Sequence, residues 1–234
     1  METYRVIVFF RPPVKGRVKT RVAQHTGDES ALRLYRAMIG DLADNLRPIA
    51  TQVLFYEAPS SASEHETYTD LQGFELRRQR GGDLGVRMYN ALEEVLEHDA
   101  SRALLIGTDI PQVSEKLLQS YLELLDSCDT VIGPAADGGY YLIGCSIRGL
   151  SRRLFEDIPW SSGSVLSLTL ERAKKCGLRV GVGPQMRDID TWDDLEELAQ
   201  DTAFRKRSVR LCREYERLKE SLRRRGFQGG SLKG

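Results

Sequence analysis

The sequence has little of the residue types from which metal clusters and disulfide frameworks are built. It contains three histidines and four cysteines in 234 residues, and no two cysteines form a CxxC pair. Neither a zinc site nor a disulfide scaffold is expected, and the pattern favours buried free thiols in a reducing cytosol. The chain also lacks a charged-then-apolar leader and any run of about 18 apolar residues. We therefore predict a cytoplasmic protein without a membrane partner.

Net charge is absent as well. The chain has 34 Lys and Arg against 34 Asp and Glu, so no global field would recruit nucleic acid. Its 41% hydrophobic content is sufficient to fill a sizeable core. We predict one compact domain over residues 1–200, followed by a basic helical tail over residues 201–234.

Short apolar runs alternate with helical patterns along the chain. The runs are rich in β-branched and aromatic residues, as is typical of strands buried on both faces, and they cover residues 5–10, 51–56, 102–107, 130–134, 140–144 and 178–182. Apolar residues at spacings of three and four predict helices over residues 28–47, 84–98, 114–126 and 163–176. Strands separated by helices indicate an α/β fold with a mostly parallel sheet.

The predicted tail differs from the rest in charge. Residues 205–225 carry ten Lys or Arg against three Glu, and one apolar stripe consists of Leu211, Tyr215, Leu218 and Leu222. This pattern predicts an amphipathic helix that packs on the domain or on a second subunit, in preference to nucleic-acid binding. A homodimer is therefore a reasonable expectation.

A cationic loop follows the first predicted strand. The segment FFRPPVKGRVKTR, residues 9–21, contains five cations, Arg11, Lys15, Arg17, Lys19 and Arg21. Open α/β sheets bind nucleotide phosphates at this position, yet the chain has neither GxxxxGK[ST] nor GxGxxG. Pro12 and Pro13 lack N–H donors, so we expect Lys and Arg side chains to hold any phosphate. The alternative is a solvated basic loop.

An aspartate lies at the end of another predicted strand. In ALLIGTDIP, residues 103–111, the strand delivers Asp109 at its carboxyl end. An aspartate there can cap a turn or bind Mg²⁺ or a ribose hydroxyl. In open α/β sheets, ligands bind at this edge.

Two further segments carry candidate site residues. In GPAADGGYYLIG, residues 133–144, Asp-Gly between two strands is typical of a hairpin turn, and the paired glycines also allow a ligand to approach the backbone. In RDIDTWDDLEEL, residues 187–198, Thr191 is a plausible helix N-cap. Asp188 and Asp190 precede this cap, and two hard carboxylates could bind a divalent cation together with Asp109.

These segments, in this order, resemble the nucleotide-diphospho-sugar transferase superfamily with the GT-A fold. More narrowly, they resemble the DUF2064 family, whose members are assigned as glycosyltransferases. The resemblance spans residues 4–200 and rests on the motifs RPPVKGRVKTRV, QRGGDLGVRM, IGTDIP, GPAADGGYYLIG, PWSSGSV and RDIDTWDDL. It implies a three-layer α/β/α sandwich, a nucleotide bound over the first strand and a divalent metal, Mg²⁺ or Mn²⁺, near the acidic segments. A proline and lysine loop replaces the superfamily's glycine-rich loop, as in the related phospholactate guanylyltransferases.

The resemblance also assigns residues to roles by position. It places Arg11, Lys15, Lys19 and Arg21 in the basic loop, where they would bind nucleotide. Asp109 falls on the family's metal-ligand or sugar-binding aspartate and Asp188 and Asp190 fall on its later acidic motif, which makes all three candidate metal ligands. It places the substrate loop at residues 137–140, with Asp137 as an orienting residue or base followed by Gly138, Gly139 and Tyr140. Gln79, Asp83 and Arg87 would border the base or sugar.

Three functions follow from this set of residues. The first is a metal-dependent transferase that uses a nucleotide diphospho-sugar, with Lys19 and its neighbours neutralising the diphosphate. The second is a guanylyltransferase type of nucleotidyltransferase that releases pyrophosphate. The third is a catalytically silent nucleotide-binding scaffold. We also expect Lys19 to be an exposed cation that contributes little to stability.

Overall fold

The computed structural model describes residues 3–59, 68–160 and 162–229, with side chains as far as residue 224. The last five residues of the predicted tail, and Ser161 in the PWSSGSV motif, lie outside the described residues. Within the described part of the chain, no helix is both long and apolar enough to cross a membrane.

In the described part of the chain, seven strands form one sheet. They are β1 (Tyr4–Phe10), β2 (Val53–Glu57), β3 (Glu75–Arg78), β4 (Arg102–Ile106), β5 (Thr130–Pro134), β6 (Tyr140–Ser146) and β7 (Val180–Val182). Their order across the sheet is β3-β2-β1-β4-β6-β5-β7. Strand β6 is antiparallel to both β4 and β5, and the other pairs are parallel. The predicted α/β class with a mostly parallel sheet is confirmed.

Helices cover both faces of this sheet. They are α1 (Thr20–Thr26), α2 (Asp28–Leu46), α3 (Leu84–His98), α4 (Glu115–Leu124), α5 (Val165–Lys175), α6 (Trp192–Leu198), α7 (Thr202–Arg207) and α8 (Val209–Gly229). One core lies between the sheet and α2, α4, α6 and α8, and the other lies between the sheet and α3 and α5. This arrangement is the expected three-layer sandwich.

Two elements are additions to the sequence prediction. Strand β3, with the sequence ELRR, is a polar edge strand whose side chains are mostly exposed, so it carries no apolar pattern. Helix α1 begins at the end of the predicted basic loop and continues beyond it, and Val22 is its buried residue. Between β5 and β6 the Asp-Gly segment forms the predicted hairpin, with Ala135 N–H donating to Gly139 O at 3.0 Å.

The basic tail packs against the same chain. Leu211, Tyr215 and Leu218 are buried in the core that α2 contributes to. The carboxylate of the buried Asp41 on α2 accepts the N–H groups of Arg210 at 2.9 Å and Leu211 at 2.8 Å. The apolar stripe of the tail is thus covered within the monomer and is no longer a reason to expect a homodimer. The homodimer and the domain boundary near residue 200 both stay predictions.

Candidate active site

A cavity of about 610 Å³ lies at the edge of the sheet where the parallel strands end. This volume is within the range of small-molecule and cofactor sites. Eleven of the residues predicted for the site line it, namely Arg11, Lys19, Arg21, Gln79, Arg87, Asp109, Asp137, Gly139, Tyr140, Asp188 and Asp190. The sheet therefore brings together segments that are up to 179 residues apart in sequence (190 − 11).

Lys19 is the central cation of this cavity. Its Nζ lies 2.6 Å from Asp109 Oδ1, 2.5 Å from Ile189 O and 3.6 Å from Asp190 Oδ1. The side chain is only 6% exposed, so the expectation of an exposed cation is wrong. The backbone of Lys19 adopts the left-handed conformation, with φ at 47°, which is uncommon for a residue other than glycine. This conformation sits at the start of α1.

The acidic segment is held beside β4 by its backbone. Ile189 N–H donates to Asp109 O at 3.0 Å, which brings Asp188 and Asp190 next to the end of that strand. Arg21 Nη1 lies 3.3 Å from Asp190 Oδ2. Burial, followed by the negative charges of nearby carboxylates, Asp137 foremost among them, raises the pKa of Asp188 to about 6.

The family resemblance implies a divalent cation, and the carboxylate oxygens here are the hard ligands that Mg²⁺ and Mn²⁺ prefer. Within the described residues, no three His, Cys, Asp or Glu side chains converge closely enough to hold a metal alone. The ammonium of Lys19 lies against Asp109, whereas the neighbouring charges that raise the pKa of Asp188 are other carboxylates. The residues therefore fit a cation shared with the phosphate oxygens of a ligand, and they do not form a closed protein cage.

Three of the predicted residues do not line the cavity. Lys15 pairs with Glu29 at 3.2 Å, and its side chain is 60% exposed. Asp83 is the N-cap of α3, where its Oδ1 accepts Val86 N–H at 2.9 Å. Gly138 has φ at +87°, and a Cβ there would clash with the backbone of Gly163. Their observed contacts shape the fold around the cavity.

The substrate loop has a fixed shape. Asp137 is exposed, and its Oδ1 accepts Gly139 N–H at 2.8 Å. Leu166 N–H donates to Gly138 O at 3.0 Å, which attaches the turn to the start of α5. The turn that carries Asp137 is therefore held by a hydrogen bond within itself and by one to the start of α5.

Gln79 and Arg87 occupy the opposite side of the cavity. The buried Gln79 amide donates to Tyr56 O at 2.9 Å, so this side chain ties β3 to β2. Arg87 donates to Gly81 O at 3.0 Å and to Gly82 O at 3.3 Å. Both side chains shape the loop between β3 and α3.

Two aromatic residues of the site were not singled out by the sequence. The hydroxyl of Tyr35 on α2 accepts Arg11 N–H at 3.0 Å and lies 3.3 Å from Thr108 Oγ1, and burial raises its pKa to about 12. Tyr35 thereby joins the ends of β1 and β4. Trp160 lines the cavity beside Tyr140. The PWSSGSV motif that contains Trp160 was a usable signal, whereas Tyr35 was hidden among the apolar residues of α2.

Comparison with known proteins supports the reading of the sequence. The profile described as "Uncharacterized protein conserved in bacteria (DUF2064)" matches residues 42–162. The chain belongs to the DUF2064 family. A crystal structure from Desulfovibrio desulfuricans G20, assigned as a nucleotide-diphospho-sugar transferase, is 31% identical with a TM-score of 0.84. That alignment covers 94% of this chain and 98% of the other.

More distant proteins share the fold or part of the sequence. The 2-phospho-L-lactate guanylyltransferase of Methanocaldococcus jannaschii is 24% identical over 185 residues, which are 77% of this DUF2064 protein and 76% of the relative. A cytidylyltransferase from Leptospira borgpetersenii is 15% identical with a TM-score of 0.58, covering 94% and 95% of the two chains, and it shows the fold alone. The predicted enzyme class, a transferase of this superfamily, is confirmed. That class includes both glycosyl and nucleotidyl transfer.

Proposed function

We propose that this protein transfers the sugar of a nucleotide diphospho-sugar to a hydroxyl group and requires Mg²⁺ or Mn²⁺. The observation that carries the proposal is the meeting of Lys19 with the carboxylates of Asp109 and Asp190 at the phosphate-binding edge of the sheet. Cations that can neutralise a diphosphate lie beside carboxylates that suit its metal ion. The 31% identical relative, assigned as a nucleotide-diphospho-sugar transferase, supports this choice.

Lys19 and Arg21 would bind the diphosphate. The ammonium of Lys19 has three N–H donors, and in this structure two of them face Asp109 Oδ1 and Ile189 O. The third donor is 3.6 Å from Asp190, beyond a hydrogen bond, and can turn to a phosphate oxygen. The side chain of Arg21 is 66% exposed, so it can reorient toward a diphosphate without breaking buried contacts.

Sugar transfer also requires a group that accepts the proton of the acceptor hydroxyl. The acceptor oxygen forms a bond with the anomeric carbon, the bond from that carbon to the diphosphate breaks, and its electron pair stays on the leaving nucleoside diphosphate. Asp137 takes the acceptor proton, since its carboxylate is exposed on the anchored turn within the same cavity. Lys19 and Arg21 stabilise the charge that the leaving group gains.

The divalent cation would be held by Asp188 with Asp109 and Asp190. When bound, it would supply Lewis-acid stabilisation of negative charge on the diphosphate. Burial, and after it the like charges of nearby carboxylates, raise the pKa of Asp188 to about 6, and a cation bound among these carboxylates would offset their repulsion.

A second candidate is nucleotidyl transfer of the guanylyltransferase type. Two curated relatives, 24% and 23% identical over 185 residues, are both named 2-phospho-L-lactate guanylyltransferase. In this reaction a substrate phosphate would attack the α-phosphorus of a nucleoside triphosphate, and pyrophosphate would depart. Lys19 and Arg21 would then stabilise the pyrophosphate in the same place.

A panel of nucleoside triphosphates and nucleotide sugars, each with Mg²⁺ or Mn²⁺, separates these functions. Glycosyl transfer predicts that nucleotide sugars raise the melting temperature in a metal-dependent way and release a nucleoside diphosphate with an acceptor. Protection by triphosphates alone, with pyrophosphate release, would assign nucleotidyl transfer instead. Protection without turnover would favour the silent scaffold, and no protection at all would contradict nucleotide binding.

A further inference from the structure

The cavity extends along the sheet edge beyond the position proposed for the diphosphate. Gln79 follows β3, Arg11 follows β1, Asp109 follows β4, and Tyr140 begins β6. The strand order is β3-β2-β1-β4-β6-β5, so Tyr140 lies two strands away from β1, about 10 Å at the usual spacing. We call the part near β6 and β5 the distal half, lined by Leu84, Asp137, Tyr140, Trp160, Ser162 and Val165.

Charge is distributed unevenly between the two halves. Among the described lining residues the cations are Arg11, Lys19, Arg21 and Arg87. Arg11 follows β1, Lys19 and Arg21 pair with the acidic segment, and Arg87 donates to the carbonyls before α3. None of these cations is a distal-half residue as defined above, and the charged side chain of that half is Asp137. An anionic substituent in the distal half would be repelled by the like charge of Asp137.

Two aromatic rings form the wall of the distal half. The centroids of Tyr140 and Trp160 are 6.3 Å apart, and the ring planes are nearly perpendicular at 86°. The hydroxyl of Tyr140 is buried beside Thr169, so this residue offers its ring to the cavity. Leu84, with 42% of its surface exposed, extends the apolar surface at the start of α3.

The indole of Trp160 is held in place before any ligand arrives. A Cβ built on Gly85 would lie 2.8 Å from Trp160 Cζ2, so the ring packs directly on the backbone of α3. The backbone N–H of Trp160 donates to Ile158 O at 2.8 Å, which fixes the turn that carries the ring. A ligand that stacks on this ring therefore loses little additional side-chain entropy on binding.

We propose that the distal half is a subsite for an uncharged carbohydrate ring, with Trp160 and Tyr140 contacting its apolar C–H face. Asp137 and Ser162 accept or donate hydrogen bonds at its hydroxyl edge. The proposal rests on the proposed function, because it takes the diphosphate to lie beside Lys19. The ring is either the donor sugar or the acceptor, and the like charge of Asp137 disfavours phosphorylated or carboxylated acceptors such as 2-phospholactate.

Sugar binding is measured by isothermal titration calorimetry in every protein, because the Trp160 variants lack the fluorophore that lines the cavity. In the unsubstituted protein it is also followed by tryptophan fluorescence, since Trp160 is the tryptophan of the two that lines the cavity. The probes are methyl glycosides of glucose, galactose, mannose and N-acetylglucosamine, the matching sugar phosphates, and 2-phospholactate. Each is added to the protein with Mg²⁺ and saturating UDP or GDP. A second arm compares the affinity of UDP with UDP-glucose and of GDP with GDP-mannose, which isolates the donor sugar.

Trp160→Ala should weaken the sugar-dependent part of binding roughly 5- to 30-fold, while Trp160→Phe retains most of it. Binding of magnesium pyrophosphate, measured by calorimetry, should be unchanged in both variants. Loss in the glycoside arm identifies the ring as the acceptor, and loss in the nucleotide-sugar arm identifies it as the donor sugar.

Three results would overturn the subsite. Sugar phosphates or 2-phospholactate could bind as tightly as the neutral glycosides, Trp160→Ala could leave all sugar-dependent binding intact, or no neutral sugar could bind in either arm. Pyrophosphate distinguishes these failures from a failure of the proposed function. If magnesium pyrophosphate binds and no sugar does, only the subsite is wrong, whereas absent pyrophosphate binding contradicts the proposed function itself.

Discussion

Lys19→Met is the substitution that tests the proposed site most directly, because it removes the ammonium and retains a side chain of similar length. The ammonium lies 2.6 Å from Asp109 Oδ1 and 2.5 Å from Ile189 O. A hydrogen bond to a charged group contributes about 1.5–3 kcal/mol. Asp109 is 51% exposed and regains water, so we expect a loss of about 1–2 kcal/mol in the free energy of unfolding.

Ligand binding should change more than stability. Loss of one charge-assisted hydrogen bond to a phosphate oxygen, about 1.5–3 kcal/mol, weakens pyrophosphate binding roughly 10- to 150-fold. Calorimetric titration of magnesium pyrophosphate gives the affinity, and urea unfolding followed by circular dichroism gives the stability. Pyrophosphate is the appropriate probe because glycosyl and nucleotidyl transfer share the diphosphate group.

Lys15→Met is the matched control on the same loop. Lys15 is 60% exposed, pairs with Glu29 and does not line the cavity, so neither stability nor pyrophosphate affinity should change measurably. Equal weakening by both substitutions would mean that the loop acts only through its overall charge. Destabilisation of the Lys19→Met protein with unchanged pyrophosphate affinity would refute the reasoning, since Lys19 would then be purely structural.

Three further substitutions test the surrounding structure. The hydrogen bond from Arg77 lowers the pKa of Asp99, so the ion pair stabilises the fold above about pH 4, and this stabilisation is lost as the pH falls through the folded pKa of Asp99. Arg77→Met should therefore lower the free energy of unfolding by about 1.5–3 kcal/mol at pH 7. It should also make stability depend less on pH in the acid range. Asp41→Ala leaves two N–H groups of α8 without their acceptor and should cost about 2–4 kcal/mol in urea unfolding. Gly85→Ala should cost about 1–3 kcal/mol, because a Cβ there would clash with the backbone carbonyl of Phe155 and with the ring of Trp160, and these clashes outweigh the gain in helix propensity. Displacement of the indole should also shift Trp160 fluorescence.

Each of these outcomes has its own control. Lys175→Met breaks an exposed pair with Glu171 and should leave stability unchanged at every pH. An unchanged dependence of stability on pH in the acid range in Arg77→Met would show that Asp99 is not held by Arg77. Asp41→Asn keeps one acceptor oxygen and should cost less than Asp41→Ala, so equal losses would contradict the capping role. A stabilised Gly85→Ala protein would contradict the close packing of Phe155 and Trp160 on the start of α3.

The sequence predicted those parts of the fold that carry an apolar pattern. Residues 6–10 and 103–106 are buried, and the strands that contain them were predicted close to their observed bounds. Strand β3 has the sequence ELRR on an exposed edge, where no period distinguishes a strand from a loop. Helix α1 was missed because Val22 is its buried residue and because Lys19 begins it in a left-handed conformation.

The location of the site could be predicted better than its contacts. Asp109 follows a buried strand, and that position alone places it at the ligand edge of the sheet. The burial of Lys19 depends on the carbonyl of Ile189, 170 residues later, and no local pattern reports such a contact. Asp83 was predicted to border a ligand, although its place three residues before Val86 at a helix start is also typical of an N-cap.

The pairing of charges in the cavity bears on whether a diphosphate and a divalent cation would assist each other's binding. Lys19 and Arg21 lie beside Asp109 and Asp190, so a diphosphate alone must compete with two carboxylates for its cations. A divalent cation alone meets the ammonium of Lys19 within the same group of carboxylates. When both are present, each offsets the charge that repels the other. We therefore expect the proposed binding of the two to be favourably coupled, so that by linkage each would raise the affinity of the other by the same factor.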